Sequence, residues 1–368
     1  GSRKKGGKRR LGGEVYHPNG VITVFLYATL AALRRMRDTR LGNIVVTGGA
    51  GAIGSRLVAR LLREDPESIL VIDDLSSGYD WLLPEDARVR LLRMDVADLP
   101  ASGLHVEQPL VFHLAALFAN QNSVDHPLED LHTNGQGTLA TILWARDNRA
   151  SRLVYASAGC SIAGHDVETS VREDLPVSLY LDTPYQITKA LGEFYCNYFN
   201  AELSTVRMRF FNSYGPGEVP GHYRNVIPNF IWRALHNQPL VITGTGEETR
   251  DFIFVDDLVE GLVLAGRIQE AVGEAFNLGT GNQTRILDLA RMAIDVCGSS
   301  SSTEMAPRRA WDHSLRRQAD ISRARRVLGF APNVGLRQGL EQTVEWFRAH
   351  RERIARHVGL PKEGGVRV

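Results

Sequence analysis

Tyr185 and Lys189 are the pair of residues in this chain best suited to acid–base chemistry. They lie four residues apart in the segment Tyr-Gln-Ile-Thr-Lys, and on a helix this spacing places both side chains on one face. A phenol with a pKa of about 10 is a poor base at neutral pH, but a neighbouring ammonium group lowers that pKa by roughly one to three units. The spacing therefore predicts a helix from Thr183 to Phe199 whose tyrosine can exchange a proton with a bound hydroxyl group.

A glycine-rich turn supplies the second chemical signal. Ile44 to Val46 form a short apolar run typical of a buried parallel strand, and the pattern from Ser55 to Arg63 predicts a helix. Between them lie Gly48, Gly51 and Gly54. Glycines at this spacing let the backbone approach a pyrophosphate closely, and the helix N-terminus supplies free N–H groups. The turn therefore predicts a dinucleotide site.

A carboxylate stands where such a site needs a partner for the adenosine ribose. The apolar run Val71-Ile72 ends in Asp73 and Asp74, about 20 residues beyond the glycines. A carboxylate at this point accepts hydrogen bonds from the ribose hydroxyls and repels a 2′-phosphate. The cofactor predicted from these residues is NAD rather than NADP.

Strand and helix patterns alternate after this unit, which predicts an α/β fold with a Rossmann-type doubly wound parallel sheet. The predicted strands are residues 89–94, 110–114, 152–156 and 205–210, and a long helix is predicted from Leu128 to Asn148. From Asn212 the chain becomes rich in glycine and proline, with a helix predicted from Pro228 to His236. Phe252 to Val255 and Phe276 to Leu278 are predicted to return to the main sheet as short strands.

These patterns divide the chain into a larger and a smaller lobe. We predict an N-terminal extension outside the fold (1–40), an NAD-binding Rossmann domain (41–211, completed by about 250–278) and a smaller C-terminal substrate-binding cap. The cap is predicted to comprise 212–249 and 279–360, followed by a tail at 361–368.

Composition limits the possible partners and compartment. The chain has 368 residues and a net charge of +1 with both signs interspersed, which argues against a nucleic-acid or membrane-surface partner. Cys160, Cys196 and Cys297 are widely separated and lack the spacing of metal ligands or a redox pair. We therefore expect no metal site and a reducing, cytoplasmic compartment.

The N-terminal segment is basic from Gly1 to Arg10 and apolar from Val21 to Leu33. The apolar run is too short for an ordinary membrane span, and no small-residue cleavage site follows it. We expect an extension upstream of the fold, with Met36 a plausible natural start; a membrane-associating amphipathic segment is the alternative.

Several ordered motifs give the chain a resemblance to the extended short-chain dehydrogenases/reductases that act as nucleotide-sugar epimerases and dehydratases (UDP-glucose 4-epimerase-like). The resemblance runs from about Gly42 to about Arg348 and includes the segment Arg209-Phe-Phe-Asn-Ser-Tyr-Gly-Pro216. It implies that NAD is bound by Gly48, Gly51, Ala52, Ile53, Gly54, Asp73, Asp95, Val96, Leu114, Ala115, Ala116, Asn134, Tyr185 and Lys189.

The resemblance also implies a clamp for a nucleotide-diphosphate sugar in the second half. Its residues would be Asn212 at the diphosphate, Asn225 over the substrate, Val241 and Thr243 beside the base, and Arg250 and Arg309 on the diphosphate. Guanidinium groups suit this role because they bind phosphate oxygens bidentately. The small neutral base site suits uracil or thymine. Relatives commonly form homodimers through the two long helices, and we expect the same here.

The segment Tyr155 to Gly164 departs from the family pattern, which usually places a serine or threonine hydroxyl beside the reacting sugar. Aligned from the strand side, Ala158 occupies the hydroxyl position; aligned from Gly164, Gly159 does. Neither side chain can donate a hydrogen bond. Ser157, Ser161 or an ordered water would have to substitute, and Ser161 is the preferred substrate-binding candidate.

The same segment favours C4 epimerisation through a transient 4-keto sugar. Dehydratases of the family place an Asp-Glu pair just after the hydroxyl position and decarboxylases place a glutamate there, whereas this chain has Gly159, Cys160 or Ser161. One alternative is 3,5-epimerisation, in which Cys160 and His222 would exchange protons after C4 oxidation. Another nucleotide-sugar oxidoreductase or dehydratase activity also remains open. A non-catalytic NAD-binding regulator is disfavoured because Tyr185 is retained together with Lys189.

Overall fold

Strands and helices alternate along the chain in the computed structural model, which describes residues 1, 41–118, 120–159, 163 and 170–358. The strands are β1 (Asn43–Thr47), β2 (Ser68–Asp73), β3 (Val89–Arg93), β4 (Leu110–His113), β5 (Arg152–Ala158), β6 (Thr205–Phe210), β7 (Asn212–Tyr214), β8 (Leu240–Thr243), β9 (Thr249–Arg250), β10 (Phe252–Phe254), β11 (Ala275–Leu278), β12 (Thr284–Arg285) and β13 (Thr303–Ala306).

The α-helices include segments that overlap each of the four predicted helices, together with others that were not predicted. They are α1 (Ala52–Leu61), α2 (Asn120–Asp125), α3 (Pro127–Asp130), α4 (Gly137–Asp147), α5 (Pro184–Phe199), α6 (Val226–Leu235), α7 (Val255–Arg267), α8 (Ile286–Cys297), α9 (Ser322–Leu328), α10 (Leu336–Ala349) and α11 (Arg351–His357). A π-helical turn, Leu131–Gln136, joins α3 to α4, so the long helix predicted from Leu128 to Asn148 is helical but locally widened.

Seven parallel strands form the main sheet in the order β3-β2-β1-β4-β5-β6-β11. Successive side chains of a strand point to opposite faces. Accordingly, Ile44 and Val46 of β1 pack in one apolar cluster with α1 and α7, while Val45 packs in a second cluster with α4 and α5. Helices therefore cover both faces, and the predicted doubly wound parallel sheet is confirmed.

The strand order reverses at β1, which lies between β2 and β4. In open α/β sheets, ligands bind outside the carboxyl ends of the strands at such a switch point. The glycine-rich turn follows β1, Asp73 ends β2, and Leu114 to Ala116 follow β4. The fold therefore gathers three separate sequence signals at one edge of the sheet.

A third apolar cluster forms the core of the cap. It is built largely from α6, α8, α10 and the strands β8 and β10, and β13 pairs with β8 at its side. The prediction that Phe252 to Val255 joins the main sheet is wrong, because β10 pairs instead with β7 in a separate two-stranded sheet. β11 does join the main sheet beside β6, as predicted.

The described residues from 41 to 358 belong to one compact unit. The predicted boundaries between the Rossmann domain and the cap remain predictions. Most of the predicted extension and the tail at 361–368 lie outside the described residues. Within the described part of the chain, each helix is too short or too polar to span a membrane.

The helix α5 is fixed against the sheet by close packing and a buried ion pair. Its N-cap residue Thr183 accepts a hydrogen bond from the Gln186 N–H, and a side chain at Gly192 would clash with the Tyr155 hydroxyl on β5. Further along, Glu193 accepts two hydrogen bonds from Arg209, at 2.9 and 2.7 Å. Their side chains are 4% and 6% exposed, so the pair is shielded from water.

We expect Glu193→Ala to lower the free energy of unfolding by about 3–5 kcal/mol, because it leaves the Arg209 charge buried without its partner. Guanidinium-induced unfolding followed by circular dichroism measures the change. Asp288→Ala is the matched control, since it removes one carboxylate bonded to the solvent-exposed Arg285; it should have a much smaller effect because water screens that pair. Equal losses in the two variants would contradict the prediction.

Candidate active site

A cavity of about 2100 Å³ extends from the switch point of the sheet to the cap. At one end it is lined by the glycine-rich turn, Asp73 and the segment after β4, and at the other end by residues of β8, β13 and the loop that follows β13. Tyr185 and Lys189 lie on its wall. The cavity therefore joins the predicted cofactor residues to the predicted substrate residues.

The glycine-rich turn forms a cradle that side chains would fill. Gly48 has φ +67°, and a Cβ there would lie 2.6 Å from the Ala115 nitrogen. A Cβ at Gly54 would clash with the Gly48 carbonyl oxygen. Gly51 caps α1, so the free N–H groups of its first turn meet the cavity beside Ala52 and Ile53. This arrangement fits the pyrophosphate of a dinucleotide.

The Asp73 carboxylate is oriented by two backbone N–H groups. Its oxygens accept hydrogen bonds from Ala50 and Leu75, each at 2.9 Å, and the residue is 7% exposed. Burial raises the pKa of Asp73, although these hydrogen bonds oppose the shift. The carboxylate lines the cavity and is placed to accept ribose hydroxyls.

Five of the other predicted cofactor residues line the cavity: Asp95, Val96, Leu114, Ala115 and Ala116. Asp95 is held on one oxygen by the Ala97 N–H at 2.8 Å and on the other by His132 Nε2 at 2.9 Å.

Asn134 is fully buried behind the cavity wall. Its amide nitrogen donates to the Leu117 carbonyl at 3.1 Å, and its amide oxygen accepts from the Leu117 N–H at 2.9 Å. The amide also donates to Asp130 at 2.6 Å, and Asp130 accepts from Thr188 on α5 at 2.7 Å. Asn134 thus connects the cavity wall at Leu117, through Asp130, with helix α5.

Tyr185 and Lys189 lie together on α5, as their spacing predicts. The Lys189 ammonium is 5.8 Å from the centre of the Tyr185 ring, and it donates a hydrogen bond to the Ala156 carbonyl at 2.9 Å. The two residues are 8% and 3% exposed. A buried ammonium beside a phenol at the cavity wall is the arrangement that proton exchange requires.

His113, the last residue of β4, is not among the residues that line the cavity. It is fully buried, with Nδ1 2.7 Å from the Thr47 hydroxyl and Nε2 3.0 Å from the Thr138 hydroxyl. Burial, assisted by the charge of Lys189, lowers the pKa of His113 to about 3. The imidazole is therefore neutral near physiological pH and bridges β1 and α4.

The end of β5 presents a small apolar side chain to the cavity. Ala158 lines the cavity, whereas Gly159 packs so closely on Phe211 that a Cβ would lie 2.5 Å from the ring. Ser157 also lines the cavity, but its hydroxyl hydrogen is donated to Glu193 at 2.5 Å. Ser161 and Cys160, the other candidates in this segment, lie outside the described residues.

The predicted substrate residues of the cap all line the cavity: Asn212, Asn225, Val241, Thr243, Arg250 and Arg309. Arg250 lies 3.3 Å from an oxygen of Asp312. Burial lowers the pKa of Arg250, while Asp312 opposes that shift. Arg309 is exposed, with its guanidinium 5.8 Å from the centre of the Trp311 ring. The cap therefore brings guanidinium groups to the place where a diphosphate would lie.

Arg308 and Glu218 are among the charged residues of the cavity wall that sequence reasoning missed. Among the described residues, Nε and Nη2 of Arg308 are buried without a hydrogen-bond partner; Nη2 lies 3.7 Å from Asp312 Oδ1. Glu218 also lines the cavity, and burial raises its pKa to about 7 although Arg224 opposes the shift. Arg308 could have been suspected from its place beside Arg309, whereas the local sequence around Glu218 gives no signal of its burial.

Comparison with known proteins identifies the family of the chain. The model of the NAD dependent epimerase/dehydratase family matches residues 44–279. A UDP-glucose 4-epimerase of Mycolicibacterium smegmatis is 36% identical over 312 residues, covering 83% of this chain and 98% of that protein. UDP-glucuronic acid decarboxylase 1 of Xenopus tropicalis is 32% identical over 336 residues, covering 88% of this chain and 76% of that protein.

A solved structure has the same architecture. An epimerase from Methanothermobacter thermautotrophicus superposes with a TM-score of 0.82 at 42% identity, covering 87% of this chain and 96% of that one. The relatives differ in reaction but share the fold and the nucleotide-sugar class named for them. The cradle at the glycine-rich turn and the oriented Asp73 fit this family match. The chain belongs to the NAD-dependent epimerase/dehydratase family and is an enzyme whose cofactor is NAD.

Proposed function

We propose that this protein inverts C4 of a nucleotide-diphosphate sugar, with UDP-sugars as the first candidates. The observation that carries the proposal is the position of Tyr185 and Lys189 on the wall of the cavity between the glycine-rich turn and the arginines of the cap. A sugar anchored by its diphosphate at the cap can reach the tyrosine from there. Relatives named for UDP-glucose and UDP-glucuronic acid support the choice of nucleotide.

Separate residues of the chain would transfer the proton and bind the diphosphate. Tyr185 takes the proton from the 4-hydroxyl and later returns it, while the nearby Lys189 charge favours the phenolate form. Bound NAD would supply the chemistry of accepting hydrogen with its electron pair from C4 and giving it back. Arg250 and Arg309 hold the diphosphate while the sugar ring turns. The ring then presents its opposite face, so the configuration at C4 is inverted.

The residues at the end of β5 favour epimerisation over elimination or decarboxylation. Ala158 lines the cavity where relatives of the other reaction types would need an acid or base nearby, and the adjacent Gly159 carries no ionisable group. The methyl group of Ala158 cannot transfer a proton, so Tyr185 is the group that exchanges the proton of the sugar hydroxyl. An ordered water or Ser161 would supply the remaining hydrogen bond to the reacting hydroxyl.

We expect a sugar inverted at C4, without deuterium in its carbon skeleton, when the purified protein acts in deuterated water on a panel of UDP-, TDP-, GDP- and CDP-sugars. The hydrogen lost from C4 returns to the same carbon and does not exchange with solvent. NMR spectroscopy of the products measures both the configuration and the isotope. Deuterium at C3 or C5 would contradict the proposal and favour 3,5-epimerisation, for which His222 lines the cavity; carbon dioxide release would indicate decarboxylation.

Tyr185→Phe should lower kcat by several orders of magnitude, because it removes the group that exchanges the proton and keeps the ring that packs against Phe118. NAD binding, measured by calorimetry, should be retained. Tyr180→Phe is the control, since Tyr180 is 69% exposed, and it should keep the wild-type kcat. Near-normal turnover by Tyr185→Phe would exclude the mechanism.

We also propose that the enzyme is a homodimer. Apolar side chains Ile187, Phe194 and Tyr198 of α5 are 54%, 53% and 77% exposed, and Leu128 and Leu131 on the neighbouring helical segment are 79% and 49% exposed. The same helices of a second copy could cover this face in a two-fold interface.

Replacing Phe194 and Tyr198 together by glutamate should convert the dimer to a monomer, because it places two charges on the apolar face. Analytical ultracentrifugation measures the mass. Leu315→Glu, which changes a 48% exposed leucine of the cap, should leave the mass unaltered. A wild-type protein that sediments as a monomer would refute the dimer.

A further inference from the structure

The segment from Pro307 to His313 lines the cavity and contacts the residues around α2 and α5 at two points. It carries Arg308, Arg309, Trp311 and Asp312 into the cavity wall. Gln121 on α2 and Asp182 just before α5 also line the cavity. One short piece of the cap therefore supplies the arginines and also reaches the residues beside Tyr185.

The first contact is a hydrogen bond from the Trp311 indole to Gln121. Trp311 Nε1 donates to Gln121 Oε1 at 2.7 Å. The Gln121 amide is already oriented, because its Nε2 donates to Asp125 Oδ1 at 2.9 Å, which leaves the oxygen facing the indole. The same helix α2 carries Ser123, whose hydroxyl oxygen accepts the Tyr185 N–H at 3.0 Å. The indole is thus connected through one helix to the start of the catalytic helix.

The second contact lies two residues further along the segment. His313 Nδ1 is 2.9 Å from Asp182 Oδ1, and the Asp182 side chain is 3% exposed. Asp182 directly precedes Thr183, the N-cap of α5. Both contacts consequently hold the arginine-bearing segment against elements that also position Tyr185.

Trp311 has a further role through its ring face. The guanidinium of the exposed Arg309 lies 5.8 Å from the centre of the indole ring, within the distance at which a cation is attracted to an aromatic face. The indole N–H is already bonded to Gln121. The ring of Trp311 therefore presents a flat apolar surface to the cavity. A sugar ring can turn beside such a surface without exchanging strong hydrogen bonds.

We infer that Trp311 is a positioning residue that orients Arg309 toward the substrate diphosphate and closes the sugar end of the cavity over Tyr185. The inference rests on the proposed function and adds a requirement to it. The 4-keto sugar formed by loss of the C4 hydrogen must stay bound until the ring has turned. If it leaves, the released product is the ketone, the two electrons and the hydrogen remain on the cofactor, and the enzyme is left reduced.

Three variants separate the two roles of the indole. Trp311→Ala removes both, and it should weaken binding of a nucleoside diphosphate, measured by calorimetry with UDP, TDP, GDP and CDP, by roughly three- to tenfold. Trp311→Phe keeps a ring under Arg309 and should restore that affinity. Gln121→Leu keeps the indole but removes its acceptor, so it too should bind the nucleoside diphosphate normally.

All three variants should release ketone during turnover. Each release leaves the nicotinamide reduced, so it is measured as a rise in absorbance at 340 nm. The double variant Trp311→Phe with Gln121→Leu should release no more ketone than either single variant, because both substitutions break the same hydrogen bond. Trp346→Phe is the control: Trp346 stacks on Trp81, 6.1 Å between ring centres, in the C-terminal part of the cap, and its substitution should change neither measurement.

Specific outcomes would overturn the inference. They are wild-type nucleoside-diphosphate affinity in Trp311→Ala, absence of ketone release from the three variants, or additive effects in the double variant. Failure of every nucleoside diphosphate to bind the wild-type protein would also overturn it. A wild-type protein that binds a nucleoside diphosphate but inverts no sugar would instead refute the proposed reaction, and the binding comparison would still test the orientation of Arg309.

Discussion

The position of helix α5, which carries Tyr185, follows from the cost of burying two opposite charges on one of its faces. Lys189 and Glu193 are one turn apart on α5, and each is 3% exposed. Charges removed from water are tolerated only when other groups satisfy them. Lys189 bonds to the Ala156 carbonyl, and Glu193 accepts from Ser157 and Arg209. Because two consecutive residues of β5 satisfy the two charges, the helix has one register against the strand.

This anchoring also explains the unusual end of β5. Ser157 and Ala158 both line the cavity, but the Ser157 hydroxyl hydrogen is donated to Glu193 of α5. The methyl group of Ala158 cannot donate a hydrogen bond. The structure favours the strand-side alignment over the one that places Gly159 at the sugar.

The main sheet, the glycine-rich turn and the Tyr185–Lys189 pair could be predicted from sequence because each depends on a local pattern. Apolar runs alternating with helical periodicity specify parallel strands with helices between them, and glycine spacing specifies the turn. The partner of β10 could not be predicted in this way, since a three-residue apolar segment fits either sheet equally well. Its pairing with β7 is decided by the path of the chain through the cap.

The charged wall of the cap was the least predictable part of the site. Arg308 and Arg309 are adjacent in sequence, and only the conformation of the loop after β13 decides that two nitrogens of Arg308 are buried while Arg309 lies exposed over Trp311. The burial of Glu218 likewise depends on distant parts of the fold. Local sequence identifies the residue types available for anion binding, whereas tertiary packing decides how deeply each one lies.

The place of β11 at the edge of the main sheet has a consequence for the order of folding. β6 ends at Phe210, but the strand that covers its outer edge begins at Ala275, after the first part of the cap has been synthesised. At a translation rate of roughly 5–20 residues per second, this edge has no partner strand for a delay on the order of several seconds. An unpaired edge is a template for pairing with other chains. The nascent enzyme is therefore most prone to aggregate while the ribosome is making the segment between β6 and β11.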